Sequence, residues 1–354
     1  MPALGNYDPA QLAERLTLWL GTQLPEAKDI HITDLVAPES TGHSSETILC
    51  VARWNDISGP VTRRMVLRTE PTGHTVFASY DLLGQATVMR RLAGVIPVPE
   101  VLWYEPDPDI IGHPFIVMGH VDGLVPPDNL PYTMDGWLLN AAPSDQAALE
   151  RNAVATLSQI HAADWAELQL DKVLTTLNPN DPLTHSLDLL ADYYQWAAEG
   201  LPNDSADRGM EWLRANQPTA WSPSVLSWGD SRLGNMMFEN FKTVAVLDWE
   251  MARIAPREFD VAWFILFERF FSEFLNCPNL DGFASAPDVI AMYEQASGAT
   301  LHPLGWYEVY GAVYYAMIMM RVIGSYRRNG IDPGFTESDN PATAMLDALL
   351  SQQT

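Results

Sequence analysis

The chain has 354 residues, 47% of them hydrophobic and 18% charged, which supplies enough apolar material for a packed core and excludes a disordered or fibrous protein. At roughly 100–200 residues per domain, this length predicts two domains or one domain with two lobes. The 45 acidic residues outnumber the 20 basic ones and give a formal net charge of -25. Neither a nucleic acid nor an anionic membrane is therefore an expected partner.

The composition also predicts a cytoplasmic protein. Cys50 and Cys277 have no metal-ligand or CxxC neighbour, so we expect buried, reduced thiols. The opening segment MPALGNYDPA lacks the basic start and apolar run of a signal peptide. The most apolar stretches, Val261–Leu275 and Trp306–Ile323, contain charged residues that a bilayer centre would penalise. Core helices are the better prediction for both.

The first 120 residues have the pattern of a small, mostly antiparallel α+β lobe. Asp8 followed by Pro9 is a helix-start signal, and apolar residues at helical spacing then predict a helix over 8–21. A second helical face over 82–93 ends at Gly94. Predicted strands lie at 47–54 and 61–68, joined by the turn-forming NDISGP, and in VIPVPEVLWY and HPFIVMGHV.

Residues 121–354 are mostly helical in pattern. One β-rich island, VLSWGDSRLGNMMFENFKTVAVLDWE, interrupts the helices. The predicted fold is therefore α+β and bilobal, with a small antiparallel-sheet lobe (1–120) and a larger helical lobe (121–354). A cleft between lobes is a preferred place for a small-molecule site. The predicted helices of the second lobe are 147–165, 186–199, 206–215, 260–275, 287–297, 304–327 and 340–351.

The β-rich island contains three residues whose order suits phosphoryl transfer. Asp230 and Asn235 lie five positions apart in a loop, and Asp248 ends the apolar strand TVAVLDW. In kinases, one carboxylate of this pattern orients the attacking hydroxyl and accepts its proton. An amide oxygen and a second carboxylate hold Mg²⁺ against the nucleotide phosphates. Taken alone, Asp230 and Asn235 are also common turn formers, but the order of strands around them favours the kinase interpretation.

With these residues in place, the sequence resembles the aminoglycoside phosphotransferase and choline kinase family. These are small-molecule kinases with a protein-kinase-like fold, and the resemblance is closer to the branch that includes kinase-like domains of some acyl-CoA dehydrogenase fusions. WGDSRLGN, LDWE and APREFDVAWF match its catalytic and metal segments, although Trp228 replaces the usual histidine. Weaker matches are STGHSSET (nucleotide loop), MVLRTEP (third strand), FIVMGHVDG (hinge) and SQIHAADW (a family helix).

The resemblance implies an ATP-dependent kinase, with GTP possible, that requires Mg²⁺ and phosphorylates a hydroxyl of a small molecule. It implies Asp230 as the catalytic base and Asn235 and Asp248 as metal ligands. Asp260 is implied to cap and buttress the following helix. Arg232 is grouped with the catalytic residues, although it could contact phosphate or pair with an acidic neighbour.

For the nucleotide, the resemblance implies that Arg68 takes the place of the strand lysine that holds the phosphates. A guanidinium can hold a phosphate with two hydrogen bonds. Its helix partner, ordinarily glutamate, aligns with Gln85, and a neutral amide cannot form the usual ion pair. The base is expected at the backbone of Met118–His120. The phosphate-loop candidates are Gly42, Ser44 and Ser45, in STGHSSET, a stretch that by itself is equally consistent with a plain hairpin turn.

Other residues carry two interpretations. His161 is expected to be a core histidine that supports the catalytic-loop region rather than a catalytic group. Glu250 could bind a metal or a cationic substrate, or simply be exposed. The aromatic residues of 306–315 could form a substrate wall, but such spacing is more often core. They are Trp306, Tyr307, Tyr310, Tyr314 and Tyr315.

Three functions stay open at this point. The first is the kinase, whose acceptor could be an aminoglycoside, another antibiotic, an amino alcohol or a hydroxylated acyl compound. The second is a nucleotide-binding pseudokinase in which Gln85 marks lost catalysis. The third is a metal-dependent hydrolase using Asp230, Asp248 and Glu250, which is disfavoured because no histidine ligand lies nearby.

Overall fold

The structure is a computed structural model that describes residues 7–37, 46–71 and 73–353. Its contacts divide the chain into two compact units. The first comprises Met1–Thr75, Ser79–Ala93 and Pro99–Asp122, and the second comprises Val76–Ala78, Gly94–Val98 and Gly123–Thr354. The phosphate-loop candidates Gly42, Ser44 and Ser45 lie outside the described residues.

The first unit is built on a five-stranded antiparallel sheet, of which the strand pattern predicts four strands. Along the sheet the strands follow the order β1-β2-β3-β5-β4. The strands are β1 (Lys28–Val36), β2 (Glu46–Asp56), β3 (Gly59–Thr69), β4 (Val101–Glu105) and β5 (Phe115–Gly119), and the helices are α1 (Pro9–Gln23) and α2 (Leu82–Leu92).

The β2–β3 hairpin confirms the turn predicted at NDISGP. The Asp56 carboxylate accepts a hydrogen bond from the Ser58 backbone N–H at 2.7 Å, and Gly59 has a φ of +119°. Pairing then runs without a break from Asp56 opposite Gly59 to Glu46 opposite Thr69. β1 is a strand that sequence analysis did not predict. Its burial does not alternate, because Asp29 and Asp34 interrupt it with positive φ.

Helix α1 begins as predicted. The Asp8 side chain accepts a hydrogen bond from the Gln11 backbone N–H at 2.9 Å, which satisfies one of the free donors of the first turn. Its apolar face joins the core of the sheet, and the Trp19 indole N–H donates to Glu105 Oε2 at 2.7 Å. Burial of this face, rather than helix propensity, holds so short a helix in place.

The second unit is mostly helical, with short strands grouped around the predicted β-rich island. β7 pairs antiparallel with β10, which pairs parallel with β6, and β8 and β9 form a separate hairpin. The helices are α3 (Pro143–Ala162), α4 (Pro182–Ala198), α5 (Asp204–Ala215), α6 (Glu258–Arg269), α7 (Ala286–Ser297), α8 (Gly305–Arg328) and α9 (Pro341–Gln352), and the strands are β6 (Thr175–Thr176), β7 (Ser224–Ser227), β8 (Met236–Glu239), β9 (Lys242–Val246) and β10 (Arg253–Pro256).

The predicted core helices are buried. Nearly every residue of α6 is buried, as is most of the apolar length of α8, and none of the described helices combines the length and apolarity needed to cross a membrane. Neither cysteine forms a disulfide in the described chain. Cys50 is buried as predicted, but Cys277 is partly exposed because it follows the end of the helical segment rather than lying inside it.

Candidate active site

Asp230 lies in the loop that leads from β7 to β8. Its carboxylate is held from two sides by nitrogen donors: the Trp263 indole N–H donates to Oδ1 at 2.9 Å, and the Asn235 amide donates to Oδ2 at 2.6 Å. Arg232 Nε lies 3.0 Å from both carboxylate oxygens. The carboxylate therefore has a defined orientation, although only 15% of the side chain is exposed.

The surroundings of Asp230 favour the protonated form of its carboxyl group. Burial raises the pKa of this carboxyl to about 7, and the nearby negative charge of Asp248 adds to the rise. The hydrogen bonds from Trp263 and Asn235 act in the opposite direction. A carboxylate with a pKa near the working pH is well matched to accept a proton from a hydroxyl group.

Asn235 and Asp248 are brought together by the β8–β9 hairpin. Met236 pairs with Val246, and the Leu247 backbone N–H donates to the Asn235 carbonyl at 2.8 Å. The strand therefore delivers Asp248 next to Asn235, and the left-handed backbone of Asp248 (φ 57°, ψ 68°) turns the chain there. The sequence pattern Asp230, Asn235 and Asp248 thus becomes one cluster.

This cluster fits a Mg²⁺ ion. The Asn235 amide nitrogen donates to Asp230, so its amide oxygen is the atom that could bind a cation, and Asp248 follows Leu247, whose backbone N–H donates to the Asn235 carbonyl. Among the described residues, no group of three or more His, Cys, Asp or Glu side chains could hold a metal. Mg²⁺ in nucleotide sites is usually bound by only one or two carboxylates together with substrate phosphates. The hard oxygen donors present here meet that requirement.

Arg232 joins Asp230 to a residue that sequence analysis missed. Its Nη1 forms an ion pair with Asp128 Oδ2, and its guanidinium carbon lies 5.6 Å from the centre of the Phe267 ring. The carboxylates of Asp128 and Asp230 therefore neutralise the charge of Arg232. The sequence had also allowed a contact between Arg232 and phosphate. Nothing in the sequence around Asp128 signals this role, because the two residues lie 104 positions apart.

Gly229 sets the path of the loop. It has a φ of +90°, and a Cβ there would lie 2.3 Å from the Met251 carbonyl oxygen. Both the left-handed backbone and the close approach of the neighbouring chain exclude a side chain. Glycine before Asp230 is therefore a requirement of the loop geometry.

Asp260 anchors the start of the loop that contains Asp230 through hydrogen bonds. Its fully buried carboxylate accepts hydrogen bonds from Ser227 Oγ at 2.7 Å, the Trp228 backbone N–H at 2.6 Å and the Gly229 backbone N–H at 3.0 Å. Burial alone would raise its pKa, but the bonds from His161 and these donors hold the pKa below its ordinary value. The expectation that Asp260 caps the following helix is wrong, because its oxygens face the catalytic loop instead.

His161 completes the support. Its Nε2 lies 3.0 Å from Asp260 Oδ2, and its Nδ1 lies 2.6 Å from the Tyr293 hydroxyl. The histidine is buried and is separated from Asp230 by Asp260 and the loop backbone. The prediction of a core histidine supporting the catalytic-loop region is confirmed.

Two of the predicted nucleotide-site residues, Arg68 and Gln85, belong to described elements of the first unit. Arg68 lies in β3, opposite Thr47 and Ile116. Gln85 is buried in α2, and its Oε1 has no hydrogen-bond partner among the described residues, so no bond joins it to Arg68. Where a kinase has an ion pair between a strand lysine and a helix glutamate, this unit therefore has Arg68 and the neutral amide of Gln85, and the two side chains are not hydrogen-bonded to each other.

The predicted hinge, Met118–His120, continues from β5. The Gly119 backbone N–H donates to the Glu100 carbonyl at 2.9 Å, and the His120 backbone N–H donates to the Arg64 carbonyl at 3.2 Å. Both donors are therefore used within the unit. A base bound at this segment would use other backbone groups.

A cavity of about 210 Å³ opens beside the catalytic loop in the second unit. Gly229 and Trp263 border it, so it adjoins Asp230. Part of the aromatic set expected as a substrate wall does face it, whereas Trp306 is buried against the Leu213 carbonyl and Tyr315 packs on Phe267. The remaining lining residues are Thr175, Leu189, Leu190, Tyr193, Glu250, Met251, Ala252, Arg253, Phe259, Tyr307, Tyr310, Gly311 and Tyr314.

One known protein family matches most of this chain. Residues 56–307 match the model of the phosphotransferase enzyme family. The chain belongs to this family. The matched range contains every described catalytic and metal candidate of the phosphotransferase loop, and it confirms the family resemblance that the sequence motifs carry.

Curated relatives of this phosphotransferase-family chain have names that refer to another activity. It is 26% identical over 288 residues to the probable acyl-CoA dehydrogenase IBR3 of Arabidopsis thaliana, covering 76% of this chain and 33% of that protein. It is 30% identical over 206 residues to acyl-CoA dehydrogenase family member 11 of Homo sapiens, covering 57% of this chain and 25% of that protein. The chain therefore spans only a third and a quarter of these two relatives.

Solved structures confirm the protein-kinase-like α+β fold. A provisionally assigned aminoglycoside phosphotransferase from Ralstonia eutropha superposes with a TM-score of 0.66 at 18% identity, covering 95% of this chain and 94% of that one. A thermostable mutant of aminoglycoside phosphotransferase APH(4)-Ia, in a ternary complex with AMP-PNP and hygromycin B, superposes with a TM-score of 0.59 at 17% identity, covering 96% and 99%. At these identities the similarity establishes the fold alone.

Proposed function

We propose that this phosphotransferase-family protein transfers the γ-phosphoryl group of ATP, or of GTP, to a hydroxyl group of a small molecule. The observation that carries the proposal is the Asp230 carboxylate, oriented by Trp263 and Asn235 and placed beside Asp248. The APH(4)-Ia complex with AMP-PNP supports a nucleotide as the donor.

The residues of the cluster divide the work. Asp230 orients the acceptor hydroxyl and accepts its proton as the bond to phosphorus forms. Asn235 and Asp248 would hold Mg²⁺ through their oxygens. A bound Mg²⁺ ion neutralises charge that develops on the phosphoryl oxygens. Arg232 does not serve as the base; its charge, balanced by Asp128, holds the Asp230 carboxylate in place.

In the first unit, Arg68 is the residue that we assign to the donor phosphates, together with Gly42, Ser44 and Ser45. Met118 and His120 remain our assignment for binding the adenine or guanine of the nucleotide. We take transfer to be direct and in line, with Asp230 acting as a base towards the acceptor hydroxyl rather than as a nucleophile. The phosphate-loop assignments rest on the sequence resemblance, and the Arg68 assignment rests also on its position in β3.

The cavity beside Gly229 and Trp263 is our assignment for the acceptor. It adjoins Asp230, the proposed catalytic base, and its walls combine aromatic rings with a few polar groups, as small-molecule sites usually do. The expected substrate wall is thereby reduced to Tyr307, Tyr310 and Tyr314.

One observation favours a second function, a nucleotide-binding pseudokinase. Gln85 stands where a kinase has glutamate, and it makes no hydrogen bond to Arg68. In that case nucleotide would stabilise the protein thermally without dependence on Mg²⁺, and no hydroxylated compound would be phosphorylated.

The deciding experiment is coupled detection of nucleoside diphosphate release with four acceptor classes: aminoglycosides, other antibiotics, amino alcohols and hydroxylated acyl compounds. Release that depends on both acceptor and Mg²⁺ is expected. Asp230→Asn should lower it about 10²–10⁴-fold, and Asp248→Ala should abolish it, whereas Asp188→Asn on the exposed face of α4 should leave it unchanged. Turnover that survives both active-site substitutions would show that the assignment is wrong, and phosphate release without acceptor would indicate a hydrolase.

A further inference from the structure

The cavity beside the catalytic loop has an arginine in its wall. Arg253 begins β10, and its guanidinium carbon lies 4.4 Å from the centre of the Phe259 ring and 5.7 Å from that of Tyr310. Nη1 approaches the Tyr310 hydroxyl at 3.3 Å. The two rings therefore hold the guanidinium in place at the cavity, and this requires no acidic partner.

No carboxylate of the described chain lies within ion-pair distance of Arg253. Its Nε is buried and has no hydrogen-bond partner among the described residues. The Tyr310 hydroxyl and the more distant charge of Asp260 favour the charged form of Arg253, but no carboxylate contacts its guanidinium, and burying such a group is costly unless a partner completes its hydrogen bonds. The flat guanidinium fork is suited to bind a carboxylate or a phosphate with two hydrogen bonds.

Glu250 is the other charged residue of the cavity. Its negative charge acts on Arg232 and on Tyr314. The cavity thus has an acidic residue that interacts with the catalytic-loop arginine and a separate basic residue in β10. A chain with a net charge of -25 therefore does not present a uniformly acidic acceptor pocket.

We propose that Arg253 binds an anionic group of the acceptor, a carboxylate or a phosphate, while the acceptor hydroxyl lies at Asp230. This inference rests on the proposed function, because it takes the cavity as the acceptor site. The aromatic and leucine walls then contact an apolar portion of the same molecule. At about 210 Å³ the cavity is smaller than the roughly 300–1,000 Å³ of drug-sized sites. The acceptor class is a small hydroxylated anion rather than a polycationic sugar.

The test uses four probes that share one skeleton and differ in one end group. They are 3-hydroxy-3-phenylpropionate, its amide, the corresponding ammonium compound 3-amino-1-phenylpropan-1-ol, and the phosphate monoester of 1-phenylpropane-1,3-diol at O3. Binding to the full chain is measured by calorimetry with Mg²⁺ and ADP present. We expect the two anions to bind more tightly than the amide and the ammonium compound, and the stronger of the two identifies carboxylate or phosphate as the group recognised.

Variants assign the preference to Arg253. Arg253→Gln should weaken binding of the preferred anion about 10–100-fold, with little change for the amide. Arg253→Lys should restore part of the loss, because it keeps the charge without the fork. Arg214→Gln, which removes an exposed charge at the end of α5, is the matched control and should change nothing. Thermal unfolding of each variant checks that the chain is folded.

Asp230→Asn separates this inference from the proposed function, because it should lose turnover and yet keep the preference for anions. A preference for the ammonium compound, equal or absent binding of all four probes, or an anion preference that survives in Arg253→Gln would each overturn the inference. Absence of turnover with all four acceptor classes, together with an anion preference that depends on Arg253, would overturn the kinase assignment and leave the anion site standing.

Discussion

The indole N–H of Trp263 donates a hydrogen bond to Oδ1 of Asp230 across 2.9 Å. Trp263 lies in α6, 33 residues beyond Asp230, and it also borders the cavity. One side chain therefore orients the proposed base and forms part of the wall of the proposed acceptor site. We therefore propose that the tryptophan is a positioning residue for the reaction.

Replacing Trp263 with phenylalanine removes this donor and keeps an aromatic ring. We expect kcat to fall about tenfold or more, because a less firmly held base departs from the productive geometry, while the KM for nucleotide changes little. Steady-state nucleoside diphosphate release measures both constants. Trp212→Phe on α5, outside the site, is the control. An unchanged kcat in Trp263→Phe would contradict the positioning role.

Gly229→Ala should damage the catalytic loop. The new Cβ would meet the Met251 carbonyl at 2.3 Å on a backbone with a φ of +90°, so the free energy of unfolding should drop by about 2 kcal/mol or more, and turnover should be largely lost. Gly330→Ala is a matched control, since its φ is +73° and nothing lies within 4 Å. That change should cost only about 1 kcal/mol. Urea unfolding of both variants gives the comparison, and equal losses would show that the contact with Met251 is unimportant.

Asp260→Asn should lower the free energy of unfolding by about 3 kcal/mol near neutral pH, because it removes a buried charge that accepts four hydrogen bonds. The pKa of Asp260 is lower in the folded chain than its ordinary value. Its stabilising contribution is therefore complete above the unfolded pKa of about 3.9 and is lost as the pH falls through the folded pKa. Urea unfolding between pH 3 and 8 should show the gap between wild type and variant narrowing in acid.

If the difference in the free energy of unfolding between wild type and Asp260→Asn stays constant from pH 3 to 8, the Asp260 charge is not what stabilises the loop. Asp281→Asn changes an exposed carboxylate in the same unit and is the control. It should show little difference from wild type at any pH.

Glu268→Gln should stabilise the protein at alkaline pH. Burial raises the pKa of Glu268 well above its ordinary value, and Glu150, whose own pKa burial raises to about 7, adds a like charge nearby. A folded-state pKa above the unfolded one means that the wild type loses stability as pH rises from about 4.5 toward the folded value. The variant does not titrate there and should gain roughly 1–3 kcal/mol over wild type by pH 8 and little at pH 4.5.

Thermal and urea unfolding at both pH values provide the measurement, with the exposed Glu239→Gln as control. A variant that is less stable than wild type at pH 8 would mean that Glu268 is ionised and compensated in the folded chain.

Much of the architecture could be predicted from local patterns. The helix starting at Pro9 and the β2–β3 hairpin follow from short-range signals, namely a capping aspartate and a turn with glycine. β1 escaped prediction because Asp29 and Asp34 break the alternation by which a strand is recognised. The catalytic pattern was also readable, since Asp230, Asn235 and Asp248 belong to one short stretch of chain that folds back on itself.

By itself, the sequence determined the α+β fold class and, through motifs that resemble a known family, the family. It also predicted Asp230 as the catalytic base, because Asp230 and Asn235 lie in one short loop and the β8–β9 hairpin brings Asp248 back to them. Only the tertiary structure decided what surrounds them. Asp128, Trp263 and Arg253 come from elements that packing alone brings to the loop or the cavity, and Asp260 faces the loop rather than its own helix. Contacts between distant parts of a chain leave no local spacing to read, since they arise from burial of apolar faces.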